Sequence, residues 1–450
     1  MMNSLKKTNF PFTVFLIAIV TWIFLAVAVF LINKYVVFTG NNLLFPFSVI
    51  YPSSFLIIGS LFCLLFLGTG LLAYQYHQKL NFFVIYMICA LLIVFGNMGQ
   101  GNVDIAFLQP FYLKGRQYYA DAINITDWRL WILNFNHNLE SFQMHTRTHP
   151  PYTTLIHYVF LELFNGSVLG LSLSFLAVSL CSFPLMNLLM KNFRFDKTKR
   201  KFLLILFAVI PSVNIYLLIS IDALVLTSTL LFLCGISTIF IKNKLSFLGI
   251  LMSVSGLILT NMLTFSGLFL FAFLGLLALV TLYKKQYSVF FSSIICFVLT
   301  VAFFYGSYEV TGSNHWETFR EASHSENPNG FMLLHSPVVY FFTRLEDIGE
   351  ILIFLSFAYM ALFFSFKNEN LGLFSDKQVN IFSFAGLTAL GVMFLTGAYG
   401  TGETARACLY IVPFFLLFLK ELNNNRTLKV LYILCLLQTF GMQLIGNYYW

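Results

Sequence analysis

Long apolar runs separated by short polar stretches dominate the sequence. Runs of about 18 residues or more recur along the whole chain, and each is long enough to cross a bilayer as a helix. The charges between the runs delimit thirteen predicted helices, near residues 11–32, 53–73, 82–98, 166–190, 202–219, 221–241, 245–260, 264–283, 286–308, 348–366, 379–398, 408–420 and 428–446. We therefore predict an all-α fold, a polytopic bundle of about 13 transmembrane helices that forms one transmembrane domain over residues 1–450.

The composition agrees with this pattern. Hydrophobic residues make up 59% of the chain and charged residues only 10%, and the mean hydropathy is +0.82. Soluble domains carry about 25% charged residues, so a water-soluble enzyme is excluded. The seven cysteines fall inside or at the ends of apolar runs without a CxxC spacing, which predicts core residues and neither disulfides nor a zinc site.

The distribution of the basic residues along the chain predicts the membrane topology. With the N-terminus in the cytoplasm, 18 of the 26 Lys and Arg residues fall on the cytoplasmic side, and 14 of the 18 acidic residues fall outside or near that edge. This bias follows the positive-inside rule and predicts a multi-pass protein of the cell membrane with a cytoplasmic N-terminus and an external Trp450. Because the basic residues are dispersed between apolar segments despite a net charge of +8, we predict no nucleic-acid partner.

Two external segments are long enough to carry function. The first covers residues 99–165 and the second residues 309–347, whereas the cytoplasmic loops are short. Long loops in compact proteins are usually functional. Residues 128–139 and 331–348 mix aromatic and polar residues at roughly helical spacing, which predicts helices that lie in the membrane interface.

The first external segment contains two candidate catalytic carboxylates. Asp104 follows the third predicted helix by a few residues, which would hold its carboxylate near the bilayer surface, where a lipid head group lies. Position makes Asp104 the best candidate for a base, with Asp121 second. The alternative interpretation is that both are solvated loop acids that cap short helices.

The segment HTRTHPP, residues 145–151, concentrates two imidazoles and a guanidinium before a double proline. In an extended chain His145, Arg147 and His149 would project to the same side, where they could bind a phosphate. The prolines predict the start of a helix over 153–164. Two alternatives stay open: a polar loop with a rigid turn, or metal binding by the two histidines.

Two further candidates for substrate binding lie at predicted helix starts. Asp222 begins an otherwise apolar helix, and an ionisable residue near membrane depth indicates a functional site, although it could simply cap that helix. Glu403 and Arg406 in GETAR are three residues apart, on one face of a helix start that could bind an anion. The alternative there is an intrahelical salt bridge.

The order of these elements resembles a known superfamily. YYADA and then HTRTHPP in an external segment, Asp222 in a helix start, and a late GETAR entering LYIVPF resemble bacterial integral membrane glycosyltransferases of the GT-C superfamily, of the polyprenyl-phosphate-sugar-dependent, mannosyltransferase-like kind. The resemblance covers roughly residues 99–415. It implies a helix bundle with long extracytoplasmic loops, a polyprenyl-phosphate sugar as donor, and Asp104, or else Asp121, as the catalytic base.

We therefore expect a membrane glycosyltransferase that moves a sugar from a lipid phosphate to an envelope glycan, lipid or protein acceptor outside the cytoplasm. The chain lacks the GxGxxG and GxxxxGK[ST] nucleotide signatures, which fits a lipid donor entering from the membrane lipids. The cofactor is undetermined, and a divalent metal remains open. A transporter or lipid flippase is the rival interpretation, and a scaffold for envelope assembly is a third.

Overall fold

The computed structural model describes residues 10–35, 51–52, 56–112, 118–365, 373–397 and 403–448. These residues are predominantly helical, as predicted. The α-helices and strands are α1 Phe12–Tyr35, β1 Tyr51–Pro52, α2 Ile57–Tyr76, α3 Phe82–Met98, α4 Gln109–Tyr112, α5 Tyr118–Ala122, α6 Trp128–Leu133, α7 Met144–Arg147, α8 Pro151–Leu163, α9 Val168–Leu180, α10 Ser182–Asn192, α11 Lys197–Val209, α12 Pro211–Tyr216, α13 Ile221–Lys242, α14 Phe247–Leu263, α15 Leu268–Tyr283, α16 Tyr287–Thr311, α17 His315–Glu326, α18 Met332–His335, α19 Pro337–Leu355, α20 Phe357–Phe363, α21 Lys377–Leu395, α22 Thr404–Ala407, α23 Val412–Leu417, α24 Asn425–Ile445 and β2 Gly446–Asn447.

Short elements of other types complete the described chain. A π-helical turn covers Asp104–Leu108, and 3₁₀ turns cover Asn136–Ser141, Phe265–Gly267, Leu409–Ile411 and Phe418–Glu421. The strands β1 and β2 pair antiparallel over two residues each.

A polytopic membrane protein is confirmed at the level of its helices. Within the described ranges, eight helical segments are long and apolar enough to cross a membrane: Phe12–Ile32, Ile57–Tyr76, Val168–Asn192, Ile221–Lys242, Phe265–Tyr283, Tyr287–Thr311, Lys377–Leu395 and Asn425–Ile445. All eight coincide with predicted spans. The apolar helices α3 and α14 are shorter, so the predicted total of thirteen spans stays a prediction.

The other three predicted spans are broken helices. The span predicted over 202–219 divides at Pro211, which begins α12 after an extended Ile210. The span predicted over 348–366 divides at Ser356, which has a φ of 108°. The span predicted over 408–420 consists of α23 between two 3₁₀ turns. Apolar composition did not reveal these breaks because apolar residues continue on both sides of each one.

Amide side chains cover the backbone groups that two of the breaks leave open. Asn214 donates from Nδ2 to the carbonyl oxygens of Ala208 (2.8 Å) and Leu92 (3.1 Å). At the second break, Gln438 donates to the carbonyl of Ile353 at 2.8 Å and accepts from the N–H of Phe357 at 3.0 Å. Irregular backbone inside a membrane protein requires such partners, so both breaks are built features of the fold.

The broken helices form the centre of the bundle, and α1 lies at its edge. The chain from Leu203 to Leu218 is buried throughout, and 83% of the apolar window of α13 is buried, against 0% for α1. Small residues allow α13 and α14 to approach closely: a Cβ atom on Gly256 would lie 2.4 Å from the backbone nitrogen of Phe232. Close backbone contact at small residues is typical of membrane helix packing.

Contacts between helix ends agree with the predicted alternation of the chain. Lys199, predicted to be cytoplasmic, donates from Nζ to the carbonyl of Leu422 at 2.8 Å on the same predicted face. On the opposite face Asn136 of the first external segment donates to Glu317 of the second at 3.2 Å. The alternation therefore agrees with the packing, while the assignment of the cytoplasmic face stays a prediction. Trp450 lies outside the described residues.

Candidate functional site

Asp222, Glu403 and Arg406 form one ion-pair cluster at the start of α13. Arg406 Nε lies 3.2 Å from Asp222 Oδ2, and Arg406 Nη2 lies 2.6 Å from Glu403 Oε2. Ser220 fixes Asp222 by accepting from its N–H at 2.9 Å and donating to its Oδ2 at 3.0 Å. The fold thus brings together three predicted site residues, two of which are about 180 positions from the third in the sequence.

The charge of this cluster differs from that of a simple anion site. Two carboxylates face one guanidinium, so the three ionised side chains sum to a negative charge. Burial raises the pKa of Glu403, although Arg406 acts in the opposite direction. The predicted intrahelical pair of Glu403 with Arg406 exists, but Arg406 also reaches Asp222 on a separate helix, so the pair belongs to a larger arrangement.

Tyr118 lies at the centre of a ring cluster beside these charges. Its ring centroid is 5.8 Å from that of His145, 5.4 Å from that of His149 and 5.3 Å from that of His157. Tyr118 is buried, and its pKa is raised by that burial and then by the charge of Asp222. The first external segment therefore packs directly against the ion-pair cluster.

His149 has two polar contacts at Nδ1. This nitrogen lies 3.1 Å from the carbonyl oxygen of His145, to which it donates when it carries the proton, and 3.3 Å from the Thr148 hydroxyl, which donates to it in the other tautomer. Desolvation lowers the pKa of His149 to about 4, with opposing effects from Asp222 and Arg406. At neutral pH the imidazole is uncharged and has one acceptor nitrogen, which suits a hydroxyl donor better than a phosphate oxygen.

The HTRTHPP segment is not extended, contrary to the prediction. Residues Met144–Arg147 form a helical turn, so His145 and His149, four positions apart, share one side and Arg147 lies on another. The Asp121 side chain accepts from the N–H of Gln143 at 2.9 Å, which fixes the start of this turn. Polar residues without an apolar alternation gave no sign that the segment would be helical.

Arg147 differs from Arg406 in its surroundings. Its Nε is buried without a hydrogen-bond partner, and no ion pair to its guanidinium occurs in the described part of the chain. A buried donor without a partner is costly. Among the described residues, the Arg147 guanidinium thus has no ion-pair partner, unlike that of Arg406.

Asp104 lies apart from the ion-pair cluster. Its Oδ2 accepts from Gln109 Nε2 at 2.7 Å, and its Oδ1 accepts from the Tyr112 hydroxyl at 2.7 Å. Neither Asp104 nor Asp121 forms an ion pair with a described residue. Asp104 is half-buried at the start of the π-helical turn, and Asp121 has a helix-capping contact, as the alternative interpretation allowed.

Several carboxylates that the sequence analysis left among the external acids lie near this site. Glu326, at the end of α17, keeps contact with solvent. Its pKa is raised to about 7 by partial desolvation and next by the charge of Glu403. On α19, Asp347 accepts from the Thr404 hydroxyl at 2.5 Å, and Glu350 accepts from the Ala405 N–H at 3.2 Å. In the sequence, the signal for this pair was its spacing: Asp347 and Glu350 are three positions apart, which places both on one face of a helix.

An apolar groove of about 1050 Å³ is lined in part by helices α8 and α13. Helix α8, which starts directly after HTRTHPP, lines it with Tyr152, Leu155 and Val159, and α13 lines it with Leu224 and Leu231. Since Tyr152 and Leu224 lie within three residues of His149 and Asp222, one end of the groove is close to the charged groups. The rest of its lining is mostly hydrocarbon.

The described residues contain no group of three or more His, Cys, Asp or Glu side chains arranged to hold a metal ion. The predicted pair His145 and His149 thus lacks a third such ligand in that part of the chain. No family model, curated protein or solved structure matches the chain.

Proposed function

We propose that this protein is a membrane glycosyltransferase of GT-C type that moves a sugar from a polyprenyl-phosphate donor to an extracytoplasmic acceptor. One observation carries the proposal: an apolar groove of about 1050 Å³ is lined by α8 and α13, whose first turns lie next to His149 and contain Asp222 of the partly exposed ion-pair cluster. This combination fits a ligand with a long hydrocarbon chain and a charged, hydroxylated head.

The groove supports the lipid half of the donor. Leu155, Val159, Leu224 and Leu231 offer only hydrocarbon, and about 0.8 kcal/mol is gained for each CH₂ group removed from water. Within a bilayer that gain is absent, so the groove contributes shape and position more than affinity. Its role is to place the head group of a lipid at the external end of α8 and α13.

Charged residues near the groove support the head group, with separate roles for Arg147 and Arg406. Arg147 Nε has no hydrogen-bond partner among the described residues, and we assign this arginine to the lipid phosphate, which a guanidinium binds bidentately. Arg406 is already shared by Asp222 and Glu403, and the negative sum of these charges disfavours a phosphate there. We assign Asp222 and Glu403 to the sugar, because carboxylates readily accept hydrogen bonds from hydroxyl groups.

The reaction needs a base for the acceptor hydroxyl. Its oxygen attacks the anomeric carbon while the bond from that carbon to the phosphate oxygen breaks, and the proton passes to a carboxylate. Asp104 is our first choice because it is half-buried at the start of the first external segment, where Gln109 and Tyr112 fix its two oxygens, and Asp121 is the second. General-base catalysis accelerates such steps by roughly 10²–10⁴, and Arg147 would stabilise the departing phosphate.

The distribution of charge favours a transferase over a transporter or flippase. A transporter needs polar groups along a path through the membrane. The charged residues of the site gather at one end of the bundle, whereas the buried polar groups of its centre, Asn97, Asn214 and Gln443, are uncharged and hydrogen-bonded to one another or to backbone. A scaffold would have no need of a desolvated ion-pair cluster.

Donor binding tests this assignment. Purified protein in nanodiscs would be titrated with a polyprenyl phosphate, and binding would be followed by native mass spectrometry. We expect weaker binding for Leu155→Trp, which fills the groove, and for Arg147→Ala. The matched controls are Leu279→Trp, on a lipid-facing surface of α15, and Arg320→Ala, an exposed arginine of the second external segment. Equal binding by all five proteins would contradict the proposal.

A further inference from the structure

Helix α19 reaches the site from the second external segment. It begins at Pro337 and carries Arg344, Asp347 and Glu350. Asp347 is fully buried, and Glu350 is 5% exposed. Two buried carboxylates are expensive unless hydrogen bonds satisfy them, so their partners indicate what they are for.

Those partners are the first two residues of α22, the helical turn that carries Arg406. Asp347 Oδ1 accepts from the Thr404 hydroxyl at 2.5 Å, and Glu350 Oε1 accepts from the Ala405 N–H at 3.2 Å. The first N–H groups of a helix have no partner within the helix, so a carboxylate from another element can fix its position. Arg344 lies 3.1 Å from Asp347 Oδ2 and balances the charge of that carboxylate.

We infer that Asp347 and Glu350 are positioning residues, which act through Thr404 and Ala405 to hold Arg406 between Asp222 and Glu403. The role of Asp222 and Glu403 in contacting the substrate rests on the proposed function. The structural link from α19 through α22 to Arg406 does not. Helix α22 is a single turn, and Asp347 and Glu350 of α19 bind its first two residues. Those contacts connect the second external segment to the ion-pair cluster.

Glu346 provides a matched control on the same helix. It is 6% exposed, as buried as its neighbours, yet its Oε1 has no hydrogen-bond partner among the described residues. An isolated buried carboxyl is expected to hold its proton. Replacing Glu346 with the isosteric Gln therefore changes neither the charge nor a contact with α22.

Hydrogen–deuterium exchange of the full-length protein in nanodiscs tests the link without any assay of activity. In Asp347→Ala and Glu350→Ala we expect the peptide amides of 404–408 to exchange at least about tenfold faster, because each change removes a buried hydrogen bond to the start of α22. Glu350→Gln keeps an acceptor oxygen and should restore most of the protection. Glu346→Gln should match the wild type, and amides of α24 should be unchanged throughout.

The outcomes separate the link from the function. Unchanged exchange at 404–408 in both alanine variants, or equal acceleration by Glu346→Gln, would overturn the inference. If Asp347→Ala does not fold, Thr404→Val removes the same hydrogen bond from the other side, with Thr404→Ser as its control. With transferase activity present, the alanine variants should lower kcat at least tenfold with little change in donor KM. Faster exchange without any transferase activity would support the link and count against the proposed function.

Discussion

Removing Arg406 should destabilise the protein by leaving two carboxylates without a counterion. In Arg406→Met, Asp222 and Glu403 lose partners at 3.2 and 2.6 Å. Breaking a buried ion pair costs about 3–5 kcal/mol, and exposed pairs are worth at most about 1 kcal/mol. The three side chains are 14–32% exposed, so we expect a cost of about 3 kcal/mol, at the lower end of the buried range.

Neutralising the two carboxylates should recover much of this loss. In the triple variant Arg406→Met, Asp222→Asn, Glu403→Gln no charge remains to be desolvated, and we expect a cost of about 1 kcal/mol. For a chain of 450 residues, an unfolding entropy of about 2.1 cal/mol/K per residue makes 3 kcal/mol equivalent to about 3 °C in Tm. Membrane helices that stay helical after unfolding have a smaller entropy change, which would enlarge the shift.

The assay is thermal unfolding in detergent, read by the near-UV signal and by aggregation at one scan rate. Arg320→Ala, which removes a 69% exposed arginine, should leave Tm unchanged. The reasoning is refuted if Arg406→Met is as stable as the wild type, or if the triple variant is less stable than the single one. Either result would mean that the cluster is solvated and not a desolvated ion-pair arrangement.

Three further predictions address the histidines, the packing and the topology. The pKa values of His149, His157 and His315 are each lowered to about 4 by desolvation. Their neutral forms therefore stabilise the fold above about pH 6.5, and that contribution is lost as the pH falls toward 4. His149→Phe should reduce the proton uptake on acid unfolding by about one, and an unchanged slope of stability against pH would contradict the assignment. Gly256→Leu should abolish correct folding, as measured by monodisperse elution, because its Cβ would lie 2.4 Å from backbone, whereas Gly275→Leu in α15 should elute like the wild type because its Cβ meets nothing within 4 Å. Single cysteines at Asn124 and Ser325, both exposed, should react with an impermeant thiol reagent in intact cells, and protection of both would reverse the orientation.

Much of the fold could be predicted from the sequence because membrane spans need only length and apolar composition. The helix after the double proline also followed from local rules, since Pro151 occupies the first position of α8. The breaks at Pro211 and Ser356 could not be predicted in the same way. Pro211 is a local signal for a break, but apolar composition alone does not register it. The break at Ser356 depends on Gln438, 82 positions away in the sequence, and composition contains no information about such a distant partner.

The candidate site could likewise be predicted from the sequence only in part. Residue type and position were enough to select Asp222, Glu403 and Arg406, because charges at the ends of apolar helices are costly and therefore informative. Their mutual contacts, and the role of Asp347 and Glu350 beside them, depend on how α13, α19 and α22 pack. The alternation assumed for His145 and Arg147 was wrong because four residues of that segment form a helical turn.

The most direct test of the proposed function is transfer of a labelled sugar. Purified protein in liposomes would be given a polyprenyl-phosphate sugar labelled in the sugar, together with cell-envelope acceptors, and the label would be followed from the lipid to the acceptor fraction. We predict transfer by the wild type, retention of normal folding by Asp104→Asn, and a fall of its turnover by roughly 10² or more, as loss of a general base requires. Label that stays on the lipid with every sugar and acceptor offered, while the wild-type protein is folded and binds the polyprenyl phosphate, would contradict the account.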